Sequence, residues 1–114
     1  MTNPKRGELK LKLGQKTYDC KVSMDTIMRV EANTGRGILK IANGLQDADL
    51  SAQDMVSIIT PILRSSGADL KDKDVQKLIW EAGFAEGIRL VAEVIVFIIG
   101  DGDNAEEGKE MAAE

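Results

Sequence analysis

Residues 8–13 read Glu-Leu-Lys-Leu-Lys-Leu, charge and leucine alternating without a break. A period of two places every leucine on one side of an extended chain and every charge on the other. The run is therefore a strand with one face in water and one against a core. Thr17-Tyr18-Asp19-Cys20-Lys21-Val22 repeats the pattern, with Tyr18, Cys20 and Val22 on the inner face. Gly14-Gln15-Lys16 between the runs reads as a turn, so the two form a β-hairpin spanning residues 8–22. A lone hairpin is marginal in water, and its leucine face must rest on something else.

The rest of the chain supplies helices for that purpose. Ser23 is a good N-cap for a helix through about Asn33, with Gly35 as its stop. Met24, Ile27, Met28 and either Val30 or Glu31 make its inner stripe. A short helix follows at Ile38–Asn43. Ser51 caps a third helix with Asp54 at the capping-box spacing, and Met55, Ile58, Ile59, Ile62 and Leu63 form an amphipathic stripe. Pro61 inside that stripe predicts a kink or an early end. A fourth helix starts at Asp72 or Asp74, with Val75, Leu78, Ile79 and Ala82 on one face, and Gly83 either stops it or bends it. The fifth, from about Phe84 to Ile99, is apolar almost all round, and a small domain can hardly cover every side of it. Part of Val94–Ile99 is then either an interface or the central strut. From these elements we expect an α+β fold: one domain over residues 1–99, a hairpin packed on four to five helices, followed by a disordered acidic tail over residues 100–114.

Composition narrows the chemistry. The 114 residues include no histidine and one cysteine. A Ser-His-Asp or Cys-His centre cannot be built from them, nor a zinc site of the His/Cys type. One cysteine closes no internal disulfide, so nothing points to an oxidising compartment. Four aromatic residues, Tyr18, Trp80, Phe84 and Phe97, are too few for a base-stacking platform. The net charge of −4 hides a division. Residues 1–40 carry nine Lys/Arg against four Asp/Glu, and residues 41–114 carry six against fifteen. Lys5, Arg6, Lys10, Lys12, Lys16 and Lys21 make the hairpin surface basic. Without a recognition helix or interleaved aromatics, this does not amount to nucleic-acid binding. Pro4-Lys5-Arg6 opens no apolar signal segment, and Arg89 and Glu93 interrupt an Ile88–Ile99 run already too short to span a bilayer. A soluble, intracellular protein without a membrane partner is expected.

Tested one by one, the motifs yield little catalysis. Asp101-Gly102-Asp103-Asn104 begins like a calcium loop, but Ala105, Glu106 and Ala112 occupy the positions that need a ligand, a glycine and a bidentate acid. Asp69, Asp72 and Asp74 suit a helix N-terminus better than a metal. Thr34-Gly35-Arg36-Gly37 lacks the spacing of a phosphate-binding loop and reads as a helix stop and turn. Cys20 is expected as a small buried hydrophobe. Trp80 lies off the main stripe of the fourth helix, as a second-layer core residue or an interface anchor. No enzyme, cofactor or metal is expected. Surplus apolar surface at Trp80, Leu90, Val94, Phe97 and Ile98 is the candidate partner-binding site.

The segment RGELKLKLGQKTYDCKVSMDTIMRVEANTGRGILKIANGL resembles the opening of the gene-transfer-agent type tail assembly chaperones of phages, sometimes labelled tail tube proteins. Their pattern is an Arg-Gly-Glu start, a strand, a Gly turn, a second strand, and a helix carrying a Glu and ending in Gly. Here these are Arg6-Gly7-Glu8, Gly14, Glu31 and Gly35. GILKIANGL resembles the short helix that follows, and DMVSIITPILRSSG the next one, so the likeness covers roughly residues 5–85. It implies a non-enzymatic phage or prophage chaperone. Such a protein binds the tape measure protein in the host cytoplasm and hands it over as tail tube subunits polymerise around it. No catalytic residues carry over. A structural tube or connector component of the virion, or a small dimerising adaptor, are the alternatives, and homo-oligomerisation stays open. The basic hairpin and acidic end are also suited to charge-driven contacts between subunits.

Overall fold

A computed structural model describes residues 7–100 of the chain. Strands β1 (Glu8–Leu13) and β2 (Lys16–Lys21) pair antiparallel, and five helices follow: α1 (Met24–Thr34), α2 (Ile38–Gln46), α3 (Ala52–Arg64), α4 (Asp72–Ala82) and α5 (Phe84–Gly100). The expected α+β class, a hairpin leading a five-helix bundle, is what the described residues form. The register pairs Leu9 with Cys20, Leu11 with Tyr18 and Leu13 with Lys16, which leaves a two-residue loop at Gly14-Gln15. Leu11, Leu13, Tyr18 and Cys20 are buried, while Glu8, Lys10, Lys12, Asp19 and Lys21 face water, as the alternation requires. Burial also pushes the Cys20 thiol up to about 11.

The hairpin rests on α3 and α5. The backbone N–H of Lys21 donates to Ser65 Oγ just past α3 (2.9 Å), so β2 is tied to the helix that carries most of the core. Of α3, Met55 and every residue from Ile58 to Leu63 are buried. Each apolar side chain among them contributes on the order of 1.5–3 kcal/mol by leaving water. The expected capping box forms at Ser51/Asp54, and the expected N-cap Ser23 forms one with Thr26 as well; the two set the starts of α3 and α1.

Three expectations are corrected. First, α3 does not end at Pro61 but continues to Arg64. A proline frees the carbonyl four residues earlier, here Ser57. Asn33 Nδ2 of α1 donates to that oxygen (3.3 Å), so a partner from a neighbouring helix replaces the missing bond. Second, α1 does not turn Met24 and Met28 inward. Thr26 and Val30 are its buried residues, Ile27 packs partly against the core, and both methionines are exposed. The Ser23 cap brings Thr26 back over the hairpin end, where its hydroxyl donates to the Lys21 carbonyl (3.4 Å), and this fixes the rotation of the helix. Third, Gly100 belongs to α5. The remainder of the expected acidic tail, residues 101–114, lies outside the described residues.

Helix α5 crosses α3 and α4 at Gly87. A Cβ there would overlap Met55 Sδ and stand 2.9 Å from Ile79 Cγ2, so the missing side chain sets how closely the three helices approach.

Two outcomes follow. Asn33→Ala should cost about 0.5–1.5 kcal/mol in urea unfolding, and nearly nothing in a Pro61→Ala background, where the helix can bond the Ser57 carbonyl itself. Additive effects of the two substitutions would contradict the pairing. The buried thiol should react with a thiol reagent only after unfolding. Because its pKa is raised in the folded state, its contribution to stability is complete below the ordinary thiol range. That contribution is lost as pH rises toward about 11, and Cys20→Ala should remove that part of the alkaline decline.

Candidate functional site

The residues expected to meet a partner do not share one environment. Trp80 is 80% exposed on α4. Leu90 and Val94 are fully buried, so they are core residues and offer nothing to a partner. Phe97 and Ile98 are half-buried and pack against the core. The reason is helical geometry. Leu90 and Val94 lie one turn apart on the side of α5 that carries Gly87, which faces Met55 and Ile79. The opposite side emerges instead: Phe84 (48% exposed), Ile88 (40%), Val96 (56%) and Ile99 (46%). Ala85 and Ala92 lie between them on the same face.

An ion ladder borders this face. Arg89 bridges Glu86 on one side and Glu93 Oε1 on the other (3.0 Å to the latter). The ladder lowers the Glu86 carboxyl pKa, chiefly through its hydrogen bond to Arg89, and raises that of the Arg89 guanidinium in return. Lys12 of β1 adds to the field on Glu86, so the first turn of α5 lies beside the hairpin's turn end. The result is an apolar strip about 25 Å long, flanked by mixed charge, on a helix whose other side is locked into the core. Apolar side chains exposed in a row at helical spacing are the pattern of a surface built to receive another helix.

Other features prove structural. On the hairpin's outer face Lys10 pairs with Asp19 (3.0 Å), and Lys16 lies over the Tyr18 ring (5.2 Å). Asp74 accepts from the Lys71 N–H (2.9 Å) at the start of α4, the capping role expected of that acidic group. A cleft of about 630 Å³ between α1 and α3 is lined by Arg29, Asn33, Thr60, Pro61 and Arg64 among others. Its arginines are already engaged, Arg29 by Asp25 (2.9 Å) and Arg64 by the Leu70 carbonyl (3.1 Å). Among the described residues no group of three or more His, Cys, Asp or Glu side chains is placed to hold a metal ion. None of the helices in the described residues is long and apolar enough to cross a membrane.

The residues that carried the family pattern also find their reasons here. Gly7 has φ +91°, and a Cβ on it would lie 2.9 Å from the Val22 carbonyl oxygen, which closes the open end of the hairpin. Gly14 (φ +69°) makes the tight loop, and Gly35 (φ +72°) ends α1 in the left-handed conformation. Glu31 accepts from the Ile38 N–H (3.0 Å) and so caps α2 across the turn. Arg36, expected within a turn, reaches the Asp49 carbonyl (3.1 Å) and Asp54 Oδ2 (3.5 Å). It thereby clamps the α2–α3 connection to the end of α1. Its only sequence signal was a cation between two glycines.

No curated protein and no solved structure matches the chain. A family model does, over residues 6–101, a span that contains every described element. It begins at the Arg6-Gly7-Glu8 start and runs to the end of α5, the helix whose exposed face is the candidate surface. The chain belongs to the family described as phage tail tube protein, GTA-gp10, and its role is accordingly that of a tail-associated protein.

Proposed function

We propose that the protein is a non-enzymatic assembly chaperone of the tail, acting in the host cytoplasm, and that it holds apolar helical segments of the tape measure protein until tube subunits enclose them. The observation that carries this reading is the α5 strip of Phe84, Ile88, Val96 and Ile99, exposed on a folded module and spaced for a helical partner. Trp80, a type of residue enriched among interface anchors, is a further candidate contact. Phe97 and Ile98, half-buried on the Leu90 and Val94 side of α5, are further candidates outside the strip. A chaperone needs such a surface accessible to its client and tolerant of different apolar side chains.

The family's own description, a tail tube protein, favours a second reading in which the chain is a structural component that stays in the particle. Mass spectrometry of purified particles separates the two. A stoichiometric, ring-forming subunit supports the structural role, and absence from finished particles with presence in assembly intermediates supports the chaperone.

A direct test uses substitution on both sides of α5. Ile88→Asp with Val96→Asp should leave the circular dichroism spectrum and melting temperature near those of the parent, yet lower capture of tape measure segments at least tenfold. Leu90→Asp or Val94→Asp should unfold the chain, since a carboxylate there would be buried without a partner. Unchanged capture by the folded double variant would refute the assigned surface.

A further inference from the structure

The exposed face of α5 has a symmetry that the binding of a helix in general does not require. Ala85, Ala92 and Ile99 follow one another at seven-residue spacing along its middle. Around Ala92 the face is balanced, with Ile88 four residues before and Val96 four residues after, both large and both exposed. Under a two-fold axis through Ala92, the small residue meets its own copy and lets the helices approach, while Ile88 of each copy meets Val96 of the other on either side. A seven-residue spacing is also the repeat on which two helices stay in contact along their length.

Charge selects the direction. If two copies packed parallel about a two-fold axis, the Arg89–Glu93 flank of one would lie on the opposite side of the pair from that of the other, and the charges could not meet. In the antiparallel arrangement about Ala92, Arg89 of one copy and Glu93 of the other are offset along the axis by two residues, about 3 Å. Both lie on the same flank of the face, and both are part-exposed, at 53% and 39%. Within its own helix Arg89 reaches Glu93 Oε1 (3.0 Å), so both charged ends already lie at the border of the face and can exchange partners across the axis.

We propose that a second copy of this chain occupies the α5 face, with the two α5 helices antiparallel and centred on Ala92. A strip of roughly 25 Å by 10 Å buries about 500 Å² in total, below the roughly 1,000 Å² of a stable interface. The dimer is therefore reversible and concentration-dependent. It shields the apolar face when no other helix is present and releases it to a stronger competitor. The pairing concerns the chain alone and holds or fails independently of the tape measure reading.

Single cysteines placed on the full chain test it. The native Cys20 is fully buried and does not compete. Across the axis, residue 92 meets residue 92, whereas residue 88 is about 12 Å from its own copy. Ala92→Cys should cross-link to a covalent dimer under mild oxidation at least tenfold faster than Ile88→Cys. Sedimentation of the parent chain should show a mass that rises with concentration. Arg89→Glu should lower the dimer fraction, and adding Glu93→Arg should restore it. Equal cross-linking at 88 and 92, or a monomer at every concentration, would overturn the proposal.

Discussion

Seven residues of α3, Met55 and Ile58 through Leu63, give up nearly all contact with water, and almost every other element is placed by covering them. Helix α1 packs along α3 and supplies Asn33 to the carbonyl that Pro61 leaves free. The hairpin hangs its second strand on Ser65 at the far end. Helix α5 lies close because Gly87 leaves room for Met55. A buried helix with a proline in its last turns is costly unless its freed backbone group is satisfied. The α1–α3 contact is what makes that core permissible. With α3 fixed in this way, one side of α5 is committed inward and the other has nothing in the described chain to cover it.

Much of this arrangement was legible in the sequence, because it rests on local rules. The Leu9/Leu11/Leu13 alternation has only one good orientation, and Ser23, Ser51 and Gly35 mark helix ends by their own hydrogen bonds and φ angles. What was not legible depended on long-range contacts. Met24 and Met28 have the spacing of an inner stripe, yet the cap and the Thr26 bond to the hairpin rotate α1 so that Val30 faces inward. Pro61 breaks a helix in isolation, and only the side chain of Asn33, 24 residues away from Ser57, makes it tolerable.

The candidate surface illustrates the same limit. An almost wholly apolar helix shows that some side must be left over without saying which. Leu90 and Val94, expected at the interface, lie instead on the side that the core takes. Gly87 was the discriminating residue, since a glycine within a helix of large side chains marks the side where another helix approaches. The ion ladder of Glu86, Arg89 and Glu93 then marks the boundary of the free face. The charge division of the chain likewise took on a clearer form. Lys10 is paired with Asp19 and Glu8 stands opposite Lys21 in the sheet register, so the basic half is a milder field than its count suggests.

The central claim is that α5 presents Phe84, Ile88, Val96 and Ile99 to the surroundings and gives Leu90 and Val94 to the core. Residue-resolved radical footprinting of the dilute, isolated chain measures this directly. The account predicts strong labelling at Phe84, Ile88, Val96 and Ile99 and protection at Leu90 and Val94. Labelling of Leu90 and Val94 equal to that of Ile88 and Val96 would show that the helix is turned the other way or is not docked at all, and would contradict the account.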